Sequence, residues 1–160
     1  MMPAHNIRKG LETELGAIER IIDSGLKYQW FGKETYEHPG KESEDGRAFD
    51  ILVSEDDAIE VKGFEGYLDM FNVWNVVVPR FRGCNGRKHL LFIGLKVTKG
   101  ARRLLKSLGI HLMHGWRAFV LWLHGIVPCK VGLPKILFIL VEKIVLDFVM
   151  KLKGLRGDRT

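Results

Sequence analysis

Two short segments with a period of two constrain this chain most. Ala48 to Val53 alternates and is rich in β-branched residues. Ala58 to Lys62 alternates again after the turn cluster Ser54-Glu55-Asp56-Asp57. Together they read as the arms of a β-hairpin. In the second arm Ala58, Glu60 and Lys62 share one face, and Ile59 and Val61 share the other. In the first arm Phe49, Ile51 and Val53 share a face, leaving Asp50 and Leu52 opposite. Asp50 joins the face of Glu60 and Lys62 only across a loop with an odd number of residues. A loop of about five would set it opposite Glu60, and one of about three opposite Lys62. Phe49, Ile51, Val53, Ile59 and Val61 would then pack the core.

The rest of the chain supplies layers for such a hairpin. From about Asn6 to Leu26, Leu11, Leu15, Ile18 and Ile22 recur at helical spacing, and Ser24-Gly25 supplies a stop. Glu14 falls on the apolar side of that helix, where a carboxylate is costly unless something pairs with it. On the residues alone, a place at the stripe's edge, with the carboxylate reaching solvent, is the favoured reading. Tyr28 to Phe31 predicts a short strand, and Gly32 to Gly46 an exposed loop. Phe64 to Val78 mixes helix-like Tyr67, Leu68 and Phe71 with β-branched valines, and Pro79 should end it. Arg80 to Lys88 reads as a basic loop and His89 to Val97 as a buried strand. Thr98 suits the N-cap of a helix through Ser107, and Gly109 suits its left-handed end. Ile110 to Met113 predicts a last strand. The order α-β-β-β-α-β-α-β implies an α/β sandwich around a mixed sheet.

The 160 residues suit one domain with an appendage. Charge divides unevenly along them. Residues 1–63 carry 8 Lys and Arg against 14 Asp and Glu, whereas residues 64–160 carry 17 against 5. The basic rear half suits a polyanionic partner, either nucleic acid or an anionic membrane surface. Cys84 and Cys129 lie far apart without a CxxC, which excludes a zinc framework and a disulfide-rich scaffold. Free thiols suit a reducing compartment, and Met1 to Leu15 lacks the apolar stretch of a signal peptide, so the expected location is cytoplasmic. Beyond residue 115, Trp116 to Val127 is almost wholly apolar, Pro128 to Lys135 interrupts it, and Ile136 to Lys153 predicts a helix. The longest uncharged run there, Ala118 to Cys129, is too short to span a bilayer. Residues 1–115 are thus expected to form one domain, and 116–160 a hydrophobic helical extension for packing or dimerisation.

Asp50, Glu60 and Lys62 would converge at the hairpin. Two close carboxylates repel and call for a cation, and hard oxygen ligands select Mg²⁺ or Mn²⁺. Such an ion polarises a phosphodiester and acidifies a bound water. Lys62 would orient that water or stabilise the charge developing on phosphorus oxygens. Glu14 would reach the same site.

The stretch from Gly10 to Gly115 resembles the restriction-endonuclease-like superfamily with the PD-(D/E)XK motif, most of all the Mrr-type endonucleases. Archaeal Holliday junction resolvases are a second likeness. The residues that carry it are Glu14-Leu15 in the first helix, Phe49-Asp50-Ile51-Leu52 and Ala58-Ile59-Glu60-Val61-Lys62, then Val97-Thr98-Lys99-Gly100-Ala101-Arg102 and Gly109-Ile110-His111-Leu112. Phe49 stands where the motif has proline, and Glu60 where Mrr-type enzymes have glutamine. The resemblance implies a three-layer sandwich and a Mg²⁺- or Mn²⁺-dependent DNA endonuclease. It makes Asp50, Glu60 and Lys62 catalytic, and puts Glu14, Asp50, Glu60 and Val61 in the metal set. Residues 116–160 have no counterpart in it.

Arg80, Arg82, Arg87 and Lys88 on the basic loop, with Lys99, Arg102 and Arg103 on the following helix, are candidate phosphate contacts. A homodimer would suit cleavage of both strands. Two other classes stay open: a non-catalytic nucleic-acid-binding or assembly protein, and a membrane-surface protein acting through its basic, apolar C-terminal region. The tryptophans read as core or interface rather than base-stacking platforms.

Overall fold

The computed structural model describes residues 4–32, 49–125, 144–149 and 151. The loop expected over 33–46 and most of the helix expected over 136–153 lie outside the described residues. Residues 144–149 are helical.

Helix α1 (Ala4–Ser24) opens the chain. Its buried stripe is Thr13, Glu14, Ala17, Ile18 and Ile21, while Leu15 and Ile22, expected to face inward, are exposed. The helix is therefore rotated from its most apolar face. A small-residue contact explains the choice, because a Cβ on Gly63 would overlap the Thr13 side chain. Close approach of helix to sheet thus selects the stripe with Thr13 and Ala17. The helix stops where Ser24 Oγ donates to Ile21 C=O at 2.6 Å and Gly25 takes a φ of 77°.

The strands that follow are β1 (Tyr28–Trp30), β2 (Ile51–Val53), β3 (Asp57–Gly63), β4 (Tyr67–Leu68), β5 (Arg87–Ile93), β6 (Lys96–Val97) and β7 (Ile110–His114). Five form one mixed sheet in the order β1-β2-β3-β5-β7, antiparallel from β1 to β3 and parallel from β3 to β7. β4 and β6 make a small parallel pair. The hairpin of β2 and β3 turns through Ser54, Glu55 and Asp56, with Ser54 and Glu55 in the left-handed region at φ 52° and 72°. Pairing continues up to Val53 opposite Asp57, and Ile51 faces Ile59. Carried one residue further, this register sets Asp50 beside Glu60, not Lys62. The three-residue turn gives the register expected of a five-residue loop, because the strands zip closer to the turn.

The strand expected from Ala48 begins only at Ile51. The alternation also breaks at Asp50. Ile51, Val53, Ile59 and Val61 pack under α1, but Phe49 packs on the opposite face, with Ala58, Leu68 and Leu90. The ladder slips there, since Asp50 N–H donates to Ile59 C=O at 3.1 Å while Asp50 C=O accepts from both Phe31 and Gly32. A slip of one residue moves Phe49 across the sheet.

Between Asp69 and Phe81 the chain forms one continuous helical run. Asp69 caps it, accepting from Asn72 N–H at 2.8 Å. The run begins as α2 (Met70–Asn72), widens into a π-turn (Val73–Val77) closed by Val78 N–H on Val73 C=O, and tightens to a 3-10 turn (Val78–Phe81). Pro79 does not end it. Proline is tolerated in the first turn of the 3-10 segment, where its missing N–H is not needed. Buried Val73 and Val77 hold the run on the core, so packing overrides the β preference of its valines.

The strand expected over His89 to Val97 divides into β5 and β6 at Gly94-Leu95. Helix α3 (Lys99–Ser107) starts at Thr98, whose Oγ1 accepts from Ala101 N–H at 3.2 Å, and ends at Gly109 with φ 68°. Helix α4 (Trp116–Leu123) places Phe119 and Leu123 in the core beneath α1. The chain divides into two compact units, Met1–His124 and Gly125–Thr160, and α4 lies in the first. Helices cover both sheet faces, α1 and α4 on one, the 70–81 run and α3 on the other. β3, buried on both faces, is the central strand. Among the described residues no helix is long and apolar enough to cross a membrane.

A polar chain, buried at Asp57 and His89 and exposed at Arg87 and His111, ties β3 to β5 and β7. Asp57 accepts from Nε and Nη2 of Arg87, at 2.7 and 2.8 Å, and its Oδ1 lies 2.7 Å from His89 Nε2. His89 Nδ1 lies 3.1 Å from His111 Nδ1. Burial lowers the pKa of His89, and its contact with Asp57 offsets this only in part. Burial pushes Asp57 up, but Arg87 and His89 outweigh it and hold the carboxyl below its usual range. Both folded-state values lie below the unfolded ones. The stability they contribute is present above the unfolded values and is lost as pH falls, first below 6.5 at His89, then below 3.8 at Asp57. Between about pH 7 and pH 5, wild type is therefore expected to lose urea midpoint relative to His89→Gln.

Candidate functional site

The site forms where β2 and β3 separate from their last paired residues. Asp50 is buried at the threshold of β2, and Glu60 is fully buried on β3. The Asp50 carboxylate acts as a backbone acceptor, its Oδ2 taking the Val61 N–H at 2.8 Å. This fixes the side chain against β3. Lys62, two residues along the same face, places Nζ 2.5 Å from Glu60 Oε1. The structure thus brings Asp50, Glu60 and Lys62 together. Val61 lies between them, with its amide bound to Asp50.

A fourth group enters from the helical run. Arg80 Nε donates to Glu60 Oε1 at 3.0 Å, and its Nη2 donates to Asp50 Oδ1 at 2.9 Å. Sequence reasoning placed Arg80 on a loop facing phosphates. The 3-10 turn instead aims it inward, and only the tertiary path of residues 70–81 reveals this. Arg82 is exposed, Lys88 half-buried, and Arg87 is engaged with Asp57. Lys99, Arg102 and Arg103 are exposed on α3, where Arg102 Nη2 lies 3.3 Å from His114 Nδ1.

Glu14 is buried within the stripe of α1, not at its edge. Its Oε2 accepts from Trp30 Nε1 at 2.8 Å. A Cβ on Gly32 would overlap this carboxylate, so Gly32 makes the room that Glu14 occupies. Gly32 N–H also donates to Asp50 C=O at 3.1 Å, which sets Glu14 beside the site's backbone. Among the described residues no three of His, Cys, Asp and Glu converge as a metal-binding group. Trp30 went unrecognised in the sequence because it belongs to no local pattern, and Arg80 was assigned to phosphates rather than to the two carboxylates it meets.

Electrostatics in this cluster are tense. Burial, reinforced by the charge of Asp50, pushes the Glu60 carboxyl up to about 8, and Lys62 and Arg80 pull it back only in part. Burial works to lower Lys62, but Glu60 and Asp50 outweigh it and hold the amine above its ordinary value. Lys62 is therefore a persistent cation and not a base. Arg80 is raised in the same way, burial being overcome by the two carboxylates. Both cations crowd on Glu60 Oε1, and Glu60 Oε2 is buried without a hydrogen-bond partner among the described residues. An orphaned carboxylate oxygen beside a second carboxylate fits a divalent cation. Two protein carboxylates suffice for Mg²⁺, which keeps several waters and takes further ligands from phosphate.

No protein-family model, no curated protein and no solved structure matches this chain. What the site can do rests on its own geometry.

The raised Glu60 pKa has a sign that can be checked without any substrate. Its neutral form is favoured in the fold, so the stability it allows is full below the unfolded value of 4.5 and declines as pH rises towards about 8. In EDTA, Glu60→Gln is expected to raise the melting temperature relative to wild type more at about pH 8 than at about pH 5. An equal difference at both would mean that Glu60 is ionised throughout.

Proposed function

We propose that this chain is a metal-dependent DNA endonuclease with a restriction-endonuclease-like (PD-(D/E)XK) fold, hydrolysing phosphodiester bonds at Asp50, Glu60 and Lys62. The observation that carries the reading is the convergence of two buried carboxylates and a lysine on the central strand, with one carboxylate oxygen left unsatisfied. Asp50 and Glu60 would hold Mg²⁺ or Mn²⁺, which when bound polarises the phosphate and acidifies a water. Asp50 is aimed by the Val61 amide on Oδ2, so its Oδ1, which accepts from Arg80, has a fixed direction. Lys62, a cation at the mouth of the pair, stabilises charge building on the phosphate oxygens. Arg80 neutralises the carboxylates in the absence of the ion. When a cation takes that place, the guanidinium can turn to a phosphate, which it matches in two-pronged geometry. Arg82, Lys88, Lys99, Arg102 and Arg103 would bind the DNA backbone. A homodimer fits cleavage of two strands.

Arg80 also favours a second reading. Its paired contacts close both carboxylates with a protein cation, as in a nucleic-acid-binding protein that keeps the fold without the chemistry. Nicking of supercoiled DNA with Mg²⁺, Mn²⁺ or EDTA separates the two. Metal-dependent nicking is expected in wild type. Lys62→Ala and Asp50→Ala are each expected to lose about 10²-fold or more in rate. DNA binding without cutting in wild type would establish the second reading.

A further inference from the structure

The helical run that delivers Arg80 also carries a row of exposed aromatic side chains that neither the core nor the candidate site uses. Phe71 is 72% exposed and Trp74 52%, and Tyr67 and Met70 beside them are exposed as well. Residues three apart on a helix lie on one side, so Phe71 and Trp74 are neighbours. The row is held from behind. Val73 and Val77 are fully buried, Asp69 caps the start, and Asn75 Nδ2 donates to Phe71 C=O at 2.8 Å. π-turns of this kind recur at functional sites. The aromatic faces are thus presented on a fixed support.

The surroundings are cationic. From residue 70 to residue 141 the sequence has 12 Lys and Arg and no Asp or Glu. Lys96 Nζ lies 5.9 Å from the centre of the Tyr67 ring. Helix α3 packs against Met70 at Gly100, where an added Cβ would lie 3.1 Å from Met70 Sδ. Its exposed Lys99, Arg102 and Arg103 belong to the helix that touches the aromatic run. A polyanion with flat apolar faces matches this surface, and an unpaired nucleic-acid strand is such a ligand. Duplex DNA keeps its bases stacked on one another and offers no faces to a ring. Continuity with the site argues against a lipid surface. Trp74 precedes Arg80 by six residues on one helical run. At helical rises that is about 9–12 Å, or about three nucleotides at stacked spacing.

We propose that Phe71 and Trp74 form a stacking platform for unpaired nucleotides, flanked by Lys96, Lys99, Arg102 and Arg103, that leads a single-stranded flank of the substrate to the Asp50–Glu60 site. As a description of the substrate, this rests on the endonuclease reading, but binding tests it separately from cutting. The full chain is titrated in EDTA with a labelled single-stranded oligonucleotide, a flapped duplex and a blunt duplex. Trp74→Ala and Phe71→Ala are each expected to lower the preference for single strand over blunt duplex by about 5–150-fold, and Trp74→Phe to retain most of it. Lys99→Ala is expected to weaken all three ligands together and to reduce the salt slope by about one. Both aromatic residues are exposed, and thermal melts check that their variants remain folded.

An unchanged preference in the alanine variants overturns the proposal, even if wild type cuts duplex DNA and the endonuclease reading stands. The expected loss of preference in a protein that cuts nothing keeps the platform and removes the nuclease. Binding to phosphatidylserine vesicles that depends on Trp74, with oligonucleotide binding that does not, would make this face a membrane surface and overturn the proposal. A dimer dissolved by Trp74→Ala, with unchanged oligonucleotide binding, would make it an interface between copies and also overturn it.

Discussion

Asp50 and Glu60 are buried side by side at the middle of the sheet, and two carboxylates in that position cannot both be charged without a cation. The neighbouring structure answers that constraint. Lys62 comes from the same strand, and Arg80 arrives from the far end of a helical run whose only deep anchors are Val73, Val77 and Phe81. A buried ion pair of this kind adds little stability compared with apolar packing of similar volume. Under the endonuclease proposal, the pair is held ready for a ligand. Glu60 Oε2, buried without a hydrogen-bond partner among the described residues, fits that proposal.

Backbone geometry and site geometry are linked at Asp50. The slip in the ladder there turns the carboxylate towards the Val61 amide and sends Phe49 to the other face. The same residue's carbonyl receives both Phe31 and Gly32, and Gly32 makes room for Glu14. One irregular residue therefore connects the strand, the start of the following segment and the first helix. Irregularities of this type are common beside functional sites, where a side chain must be aimed rather than alternated.

Much of this was legible in residue order. The hairpin, the mixed α/β architecture, the cap at Thr98 and the left-handed end at Gly109 follow from local chemistry. So does the grouping of Asp50, Glu60 and Lys62, which needed only a period of two and the parity of a turn. Legibility failed where packing chose between local alternatives. Leu15 and Ile22 look like core residues, yet α1 turns a smaller stripe inward because the helix must sit close to Gly63. The 70–81 run has no clean period because one buried seam passes through α, π and 3-10 geometry. Trp74, which reads as a core or interface residue, is exposed on that run.

The sequence by itself determined which carboxylates and which lysine share a strand face, since side-chain alternation is a property of extended backbone. It also determined the basic rear half and its lack of acids between Asp69 and Glu142. Only the tertiary structure decided that Arg80 closes the pair, that Glu14 meets Trp30, and that Phe71 and Trp74 look outward. Those contacts join residues about 15 to 30 positions apart, or depend on which side of a helix finds the sheet. Local propensity carries no information about either, because both are set by how whole elements pack.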